Sequence, residues 1–382
     1  MNIIKENSPH LKRKDNLNMM MLDVIIALMP VVIFSYVVFQ WKAVRNVLIS
    51  VAVMELCEFV FVLIKNRLPY DGKKHTLKEH WENQKKNYHL SNFLTPLVSA
   101  MIFAMVMPAD SNPAPMIYVA LIIGSIFGMV IGKLVFGGTG KNIFNPAAVG
   151  MVFAKVCFGS FYVNGGTSFF DVAASGTALS GVDAATSTST MLVTLGSSTI
   201  DVGAYGLKAM FFGLMPGVIG EVSKICILAG LLYLLIRRTI DWRIPLAYCG
   251  TFLFIMFFAS IFAHIQNNNV PMWRYIGYQF LSGGLLFGAT FMATDPVTSP
   301  ISKPGRWIYG ALLGSLTVLI RLFAAYPEGV VFSILLGNAF TCFIDYYKWS
   351  DNRFTWKKLV ALGSTILVPT LIVIWALAVE VL

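Results

Sequence analysis

Eleven apolar stretches run through this chain, most of them long enough to cross a lipid bilayer, and no water-soluble core absorbs that much continuous greasy sequence. They fall near residues 22–40, 45–65, 91–108, 116–136, 144–161, 206–237, 244–264, 274–293, 307–325, 328–346 and 359–380. A helix spans the ~30 Å hydrocarbon layer with about 20 apolar residues. Inside lipid, only helices and closed barrels satisfy their own backbone polar groups. Charged residues make up 13% of the chain, against about 25% in soluble domains. The expected fold class is therefore an all-α integral membrane protein of about ten transmembrane helices. The 206–237 stretch is too long for one upright span, and "GLMPGVIGE" breaks it; 91–108 is short and ends at a proline. Half-helices of this kind are tolerated at membrane depth only where protein buries them or where they line a cavity, so they point to a site.

The Lys and Arg residues set the orientation, because cytoplasmic loops carry the excess of basic side chains. The N-terminal tail holds Lys5, Lys12, Arg13 and Lys14, and the loop at 66–90 is the most basic in the chain. Both are placed in the cytoplasm. The loop 162–205 has no Lys or Arg between Lys155 and Lys208 and is placed outside. This gives a cytoplasmic tail at 1–21 and a single transmembrane helical domain at 22–382. The N-terminal apolar stretch reads as a first spanning helix rather than a cleaved leader. The net charge of +10 is explained by these short flanking loops, so no nucleic-acid partner is expected. The five cysteines, at 57, 157, 226, 249 and 342, are scattered and form no C-x-x-C pair. No metal site built by this chain alone is expected; a cysteine shared at an interface with another protein stays open.

An internal repeat is visible. "FLTPLVSAMIFAMVMPAD" from Phe93 resembles "FLSGGLLFGATFMATDPVTSP" from Phe280, and each is followed by another span. On the loop assignment the two copies run in opposite senses, which makes an inverted repeat with broken or re-entrant segments. In such folds the site lies at the repeat interface. Chance likeness between Phe-, Leu- and Ala-rich segments is the other reading.

Four groups of residues carry chemistry. "FGGTGKNIFNPAAVG" gathers Gly138, Asn142 and Asn145 at a helix boundary; glycines let the backbone approach a ligand, and amides are costly there unless they are paired. It lacks the spacing of a phosphate-binding P-loop, and on spacing alone a helix N-terminus capped inside the bundle is the favoured reading. "FMATDPVTSP" places Thr294 and Asp295 at a helix end, as a binding element or as a turn that stops the helix. Glu55, Glu58 and Glu221 lie within apolar spans, where a carboxylate marks an ion path or a structural ion pair; Glu55 and Glu58 share a helix face. "GVDAATSTSTML" is a run of hydroxyls behind Asp183 with no basic residue.

The stretches "GGTGKNIFNPAAV", "GEVSK…DWRIP" and "GATFMATDPVTSP", in this order, resemble those of the RnfD/NqrB family, and the likeness extends from "SPHLKRK" to "LLGNAF". The SPH opening and the chain's size favour the Rnf branch. The resemblance implies an FMN joined through its phosphate to a hydroxyl on the extracytoplasmic side, installed by a flavin transferase at a motif like D-x-x-[ST]-G-[AS]-[TS]. Laid on this sequence, Asp183 takes the acid position, Thr186 the first hydroxyl and Ser189 the acceptor. Ser187 and Thr188 replace the usual Gly and Ala, so Thr188 and Thr190 are neighbouring registers. The resemblance also implies a second, noncovalent flavin (riboflavin or FMN), placed near Gly138–Asn145 and Thr294–Asp295. It further implies the other Rnf subunits (A, B, C, E and G) as partners, a lipid-embedded position in the bacterial cytoplasmic (inner) membrane, and electron transfer between ferredoxin and NAD coupled to Na+ or H+ translocation. The rival reading is a solute channel or secondary transporter with the same inverted-repeat fold.

Overall fold

The computed structural model describes residues 17–66, 88–111, 114–159, 207–213, 218–266, 271–324, 329–346 and 352–381, with single positions between 79 and 85. Among these residues the secondary structure is helical, with no β-strand. The elements in order are α1 (Leu17–Phe39), α2 (Trp41–Lys65), α3 (Leu90–Val106), α4 (Met116–Met129), α5 (Pro146–Phe158), α6 (Leu207–Phe212), α7 (Lys224–Arg237), α8 (Arg243–Gln266), α9 (Met272–Leu281), α10 (Leu285–Phe287), α11 (Lys303–Phe323), α12 (Val330–Ile344) and α13 (Trp356–Val381). α4 runs on into a π-helical turn at Val130–Leu134, and α10 into another at Gly288–Met292.

Six of these are long and apolar enough to cross a membrane: α1, α2, α4 with its π turn, α8, α11 and α13. The remaining passes are short or broken. The 206–237 stretch is interrupted between α6 and α7, as "GLMPGVIGE" leads one to expect. The 274–293 stretch, which reads as one span, is in fact cut at Ser282–Gly284: Ser282 turns extended, and Gly283 takes φ 63°. Large side chains such as Ile236, Leu371 and Trp375 face outward, as a lipid-facing surface requires, since lipid gives helices no hydrophobic reason to hide them.

The packing repeats. In the first half α2 packs on α3 and α4, and α4 on α5; in the second, α8 packs on α9 and α11, and α11 on α12. Across the halves, α1 packs on α7 and α5 on α12. The first half makes an odd number of passes, α1 to α5, so the equivalent helices of the second half run the other way. The two sets of breaks are thereby turned towards each other.

Candidate functional site

An open cleft of about 780 Å³ lies where the turn after α4 meets the turn after α10. Asn142, Asn145, Thr294 and Asp295 all line it, so two segments about 150 positions apart in sequence converge as expected. Gly137, Gly138 and Gly140 take φ of 108°, 92° and 84°, a region costly for residues with a Cβ; that is why the α4–α5 turn is built of glycine. Gly138 is set back from the cleft, and a Cβ there would meet Phe61 at 3.2 Å. Its neighbours Thr139 and Gly140 form the wall instead.

The polar groups are locked before any ligand arrives. Asn145 caps α5 by accepting the Ala147 N–H at 3.0 Å, and its amide donates to the Met292 carbonyl at 3.2 Å, tying one break to the other. The Asn142 amide donates to the Phe144 carbonyl at 3.1 Å. Thr294 donates to the Thr290 carbonyl. Asp295 accepts the Thr298 hydroxyl at 3.1 Å and the Val297 N–H at 3.4 Å. Met21, Val24, Val98, Ile102 and Phe291 supply apolar walls. Apolar sides closed by amides, hydroxyls and one acid suit a flat aromatic ring system with a polar edge.

Lys133 is a cleft residue that the motifs do not single out. It sits in the π turn and is buried; its ammonium lies 3.2 Å from Glu58 of α2 and donates to Thr95 at 2.9 Å. Thr95 in turn shares a hydrogen bond of 3.1 Å with Thr139. Glu58 thus has the basic partner its position demands, and Glu55, one turn away, keeps both carboxylate oxygens buried without a hydrogen bond. A lysine within "GMVIGKLVFGG" is a readable signal, since an ionisable residue inside a span needs a partner. It passes in sequence for the basic end of a helix.

Glu221 is elsewhere. It lies at the α6–α7 break, and the α7 residue on the cleft wall, Leu234, is ten residues beyond the helix start at Lys224, about 15 Å of helix rise away. There Lys224 donates to the Glu221 carbonyl and, at 3.2 Å, to the Gly283 carbonyl. Arg321 donates to the Gln279 carbonyl at 2.7 Å and the Ser282 carbonyl at 3.2 Å. Arg321 thus caps the carbonyl end of α9, where a helix dipole is negative, and Lys224 takes the Gly283 carbonyl in the break that follows. The acids read as ion-path candidates divide into Glu55 and Glu58 beside the cleft and Glu221 at this second polar node.

Asp183, Thr186, Thr188, Ser189 and Thr190 lie outside the described residues, as do residues 1–16 and most of the 66–90 loop. The chain leaves α5 at Phe158, 13 residues after the cleft, or about 20 Å along the helix. It therefore departs towards 162–205 from the opposite end of the bundle.

A family model described as "NQR2, RnfD, RnfE family" matches residues 4–352. The B subunit of the Na(+)-translocating NADH-quinone reductase of Chromohalobacter salexigens is 38% identical over 252 residues, 65% of this chain and 57% of that protein. Its counterpart in Ectopseudomonas mendocina is 38% identical over 257 residues, 67% and 60%. The D subunit of the proton-translocating ferredoxin:NAD(+) oxidoreductase complex of Clostridium ljungdahlii is 32% identical over 348 residues, 89% of this chain and 93% of that protein. The chain thus spans about 57–60% of the length of the reductase relatives it matches.

Proposed function

The chain belongs to the NQR2, RnfD, RnfE family, and from that premise we propose that it is the flavin-carrying membrane subunit of an Rnf-type complex. In this reading it relays electrons within a ferredoxin:NAD+ oxidoreductase coupled to Na+ or H+ translocation, and is not catalytic alone. The near-complete mutual coverage with the Clostridium relative supports the Rnf branch over the reductase branch. Its partners would be the other Rnf subunits (A, B, C, E and G), in the bacterial cytoplasmic membrane with the N-terminus inside.

The observation that carries the proposal is the single cleft formed by Asn142, Asn145, Thr294 and Asp295 from two distant breaks. These residues would hold the noncovalent riboflavin or FMN, which supplies one- and two-electron transfer when bound. The chain contributes position and environment. Asn145 is fixed by bonds to both breaks, Met21, Val24, Val98, Ile102 and Phe291 give a ring system apolar walls, and the charge of Lys133 is balanced by Glu58. The second flavin, an FMN phosphoester, is assigned to Ser189, with Asp183 and Thr186 as the recognition element for the transferase and Thr188 and Thr190 as adjacent registers. The two flavins would then lie at opposite ends of the bundle.

The test is direct. The full chain is co-expressed with a flavin transferase, denatured in acid and run on a gel. A fluorescent wild-type band and a dark Ser189→Ala band are the expected result. A fluorescent Ser189→Ala band moves the attachment to another hydroxyl. A dark wild-type band removes the redox reading and turns attention to solute transport.

A further inference from the structure

Asn145 ties one break to the other, and the residue that holds Asn145 in turn lies on another helix. Asn338, in the middle of α12, is fully buried and stands outside the cleft lining. Its amide oxygen accepts the Asn145 N–H at 3.0 Å, and its amide nitrogen donates to the Tyr309 hydroxyl of α11 at 2.8 Å and to the Ile334 carbonyl at 3.3 Å. The reverse orientation of this amide would set its nitrogen against the Asn145 N–H, donor against donor. Tyr309 is fully buried too. Gly337 lets α12 come this close to α11: a Cβ there would collide with Leu313 and lie 3.1 Å from the Tyr309 ring. Asn145 and Asn338 thus meet where α5 and α12, the equivalent helices of the two halves, pack on each other.

An asparagine amide offers two hydrogens and two lone pairs. Asn145 gives one hydrogen to the Met292 carbonyl and takes the Ala147 N–H on its oxygen. One hydrogen and one lone pair are left on a side chain that lines the cleft. Where they point depends on the backbone that carries them, and the Asn145 N–H is the group that Asn338 holds. Three residues further along α12, the Thr341 hydroxyl donates to the Thr298 carbonyl at 3.1 Å, and the Thr298 hydroxyl donates to Asp295 at 3.1 Å. α12 therefore bonds to both breaks. A second polar cluster on α11 and α12 is built differently. Tyr248, Thr317 and Ser333 bond one another at 2.7–3.2 Å, and Thr317 and Ser333 also bond the Leu313 and Val330 carbonyls of their own helices. That cluster closes on itself, whereas the bond from Asn338 leads to the cleft.

We propose that Asn338 is a positioning residue of the cleft. By holding the Asn145 N–H, with Tyr309 holding Asn338, it fixes the direction in which Asn145 offers its remaining hydrogen and lone pair to the polar edge of a flavin ring. The proposal rests on the reading of the cleft as a flavin site. Asn338 acts through Asn145 and meets no ligand itself. A buried pair that only joined α5 to α12 would change stability and leave the aim of the Asn145 amide unaltered.

Riboflavin binding to the full chain in detergent tests this. The chain is made without a flavin transferase, so that added riboflavin is the only flavin, and binding is read from the quenching of its fluorescence. Asn338→Leu should weaken binding roughly three- to tenfold, the worth of one neutral hydrogen bond. Tyr309→Phe removes only the hydroxyl that holds Asn338, and should weaken it in the same direction by less. Asn145→Ser keeps a helix cap and removes the amide. Adding Asn338→Leu to it should cost no further affinity, because no amide is left to aim. Ser333→Ala loosens the same pair of helices and should lower the thermal midpoint without changing affinity. Additive losses in the double variant overturn the proposal, and so does a loss of affinity in Ser333→Ala as large as that in Asn338→Leu. Should Asn338→Leu fail to fold, wild-type affinity in Tyr309→Phe overturns it equally. Binding that Asn145→Ser weakens and Asn338→Leu leaves intact sinks this proposal alone. Riboflavin left unquenched by the wild type sinks the flavin reading of the cleft, and this proposal with it.

Discussion

Lys133 and Glu58 are each about 3% exposed and 3.2 Å apart, so neither can lose the other and turn to water. Removing one partner of a buried pair costs about 3–5 kcal/mol, because it strands the other charge, while replacing both is often close to neutral. Lys133→Met should therefore lower the thermal midpoint in detergent sharply. Lys133→Met with Glu58→Leu should recover most of the loss, and additive losses would mean that the pair does not act as a unit. Asp241, in the loop between α7 and α8, behaves differently because it lies outside the spans. Burial pushes its carboxyl up, but the Arg243 N–H and the guanidinium of Arg306 outweigh that and hold its pKa below the usual carboxylate value. A depressed acid contributes stability that is complete above its unfolded pKa, about 3.9, and is lost as pH falls through the folded one. Asp241→Asn should cost about 1–3 kcal/mol at pH 7. The gap between wild type and variant should close in melts taken below pH 4, and a gap that is constant with pH would sink this assignment.

At the scale of elements, small residues decide how closely helices approach. Gly128 of α4 faces the start of α5, where a Cβ would lie 2.6 Å from the Pro146 carbonyl oxygen and 2.9 Å from the Gly150 Cα. Neither neighbour is a flexible side-chain end, so Gly128→Ala must force the two helices apart, at about 1–3 kcal/mol, and disturb the glycine turn that follows. Gly363 of α13 has open space around it, so Gly363→Ala should be neutral or stabilising by up to about 1 kcal/mol. Thermal melts of the two variants side by side check this. The same scale separates what is legible in the sequence from what is hidden. The break at 213–223 is readable because Gly and Pro interrupt an overlong run. The break at Ser282–Gly284 is not, since "SGG" is small and mildly apolar and leaves the run's length normal. The π turns leave no local trace, because they depend on how α4 and α10 dock. For the site, Asn142, Asn145, Thr294 and Asp295 stand out as polar groups in apolar surroundings. The partners of Lys133, Thr95 and Arg321 are not legible, for each sits singly in a span and the group it meets lies on another helix or turn.

The whole molecule has two unlike ends, the polarity that the proposed electron relay across a membrane needs. At one end are the cleft, the loop holding Asp241 and the start of α11, with Asp241–Arg306 and Asp345–Ile301 fastening that helix start to its neighbours. At the other are the α1–α2 corner and the segment after α3, joined by Lys42–Asp110 at 2.5 Å and by Arg45 to the Ala109 carbonyl at 2.5 Å. Basic residues concentrate at the cleft end, which the positive-inside rule assigns to the cytoplasm. Lys141 and Ala114 are both exposed, in turns at opposite ends of α4, with its helical rise and the membrane between them. In a background lacking the five native cysteines, Lys141→Cys should react with a membrane-impermeant maleimide only in inverted vesicles, and Ala114→Cys only in right-side-out ones. Labelling of both from one side would break the alternation of passes, and with it the argument that two breaks of opposite sense enclose one cleft. Labelling of each from the reverse side would keep the fold but place the cleft outside, and the two proposed flavin positions would exchange faces.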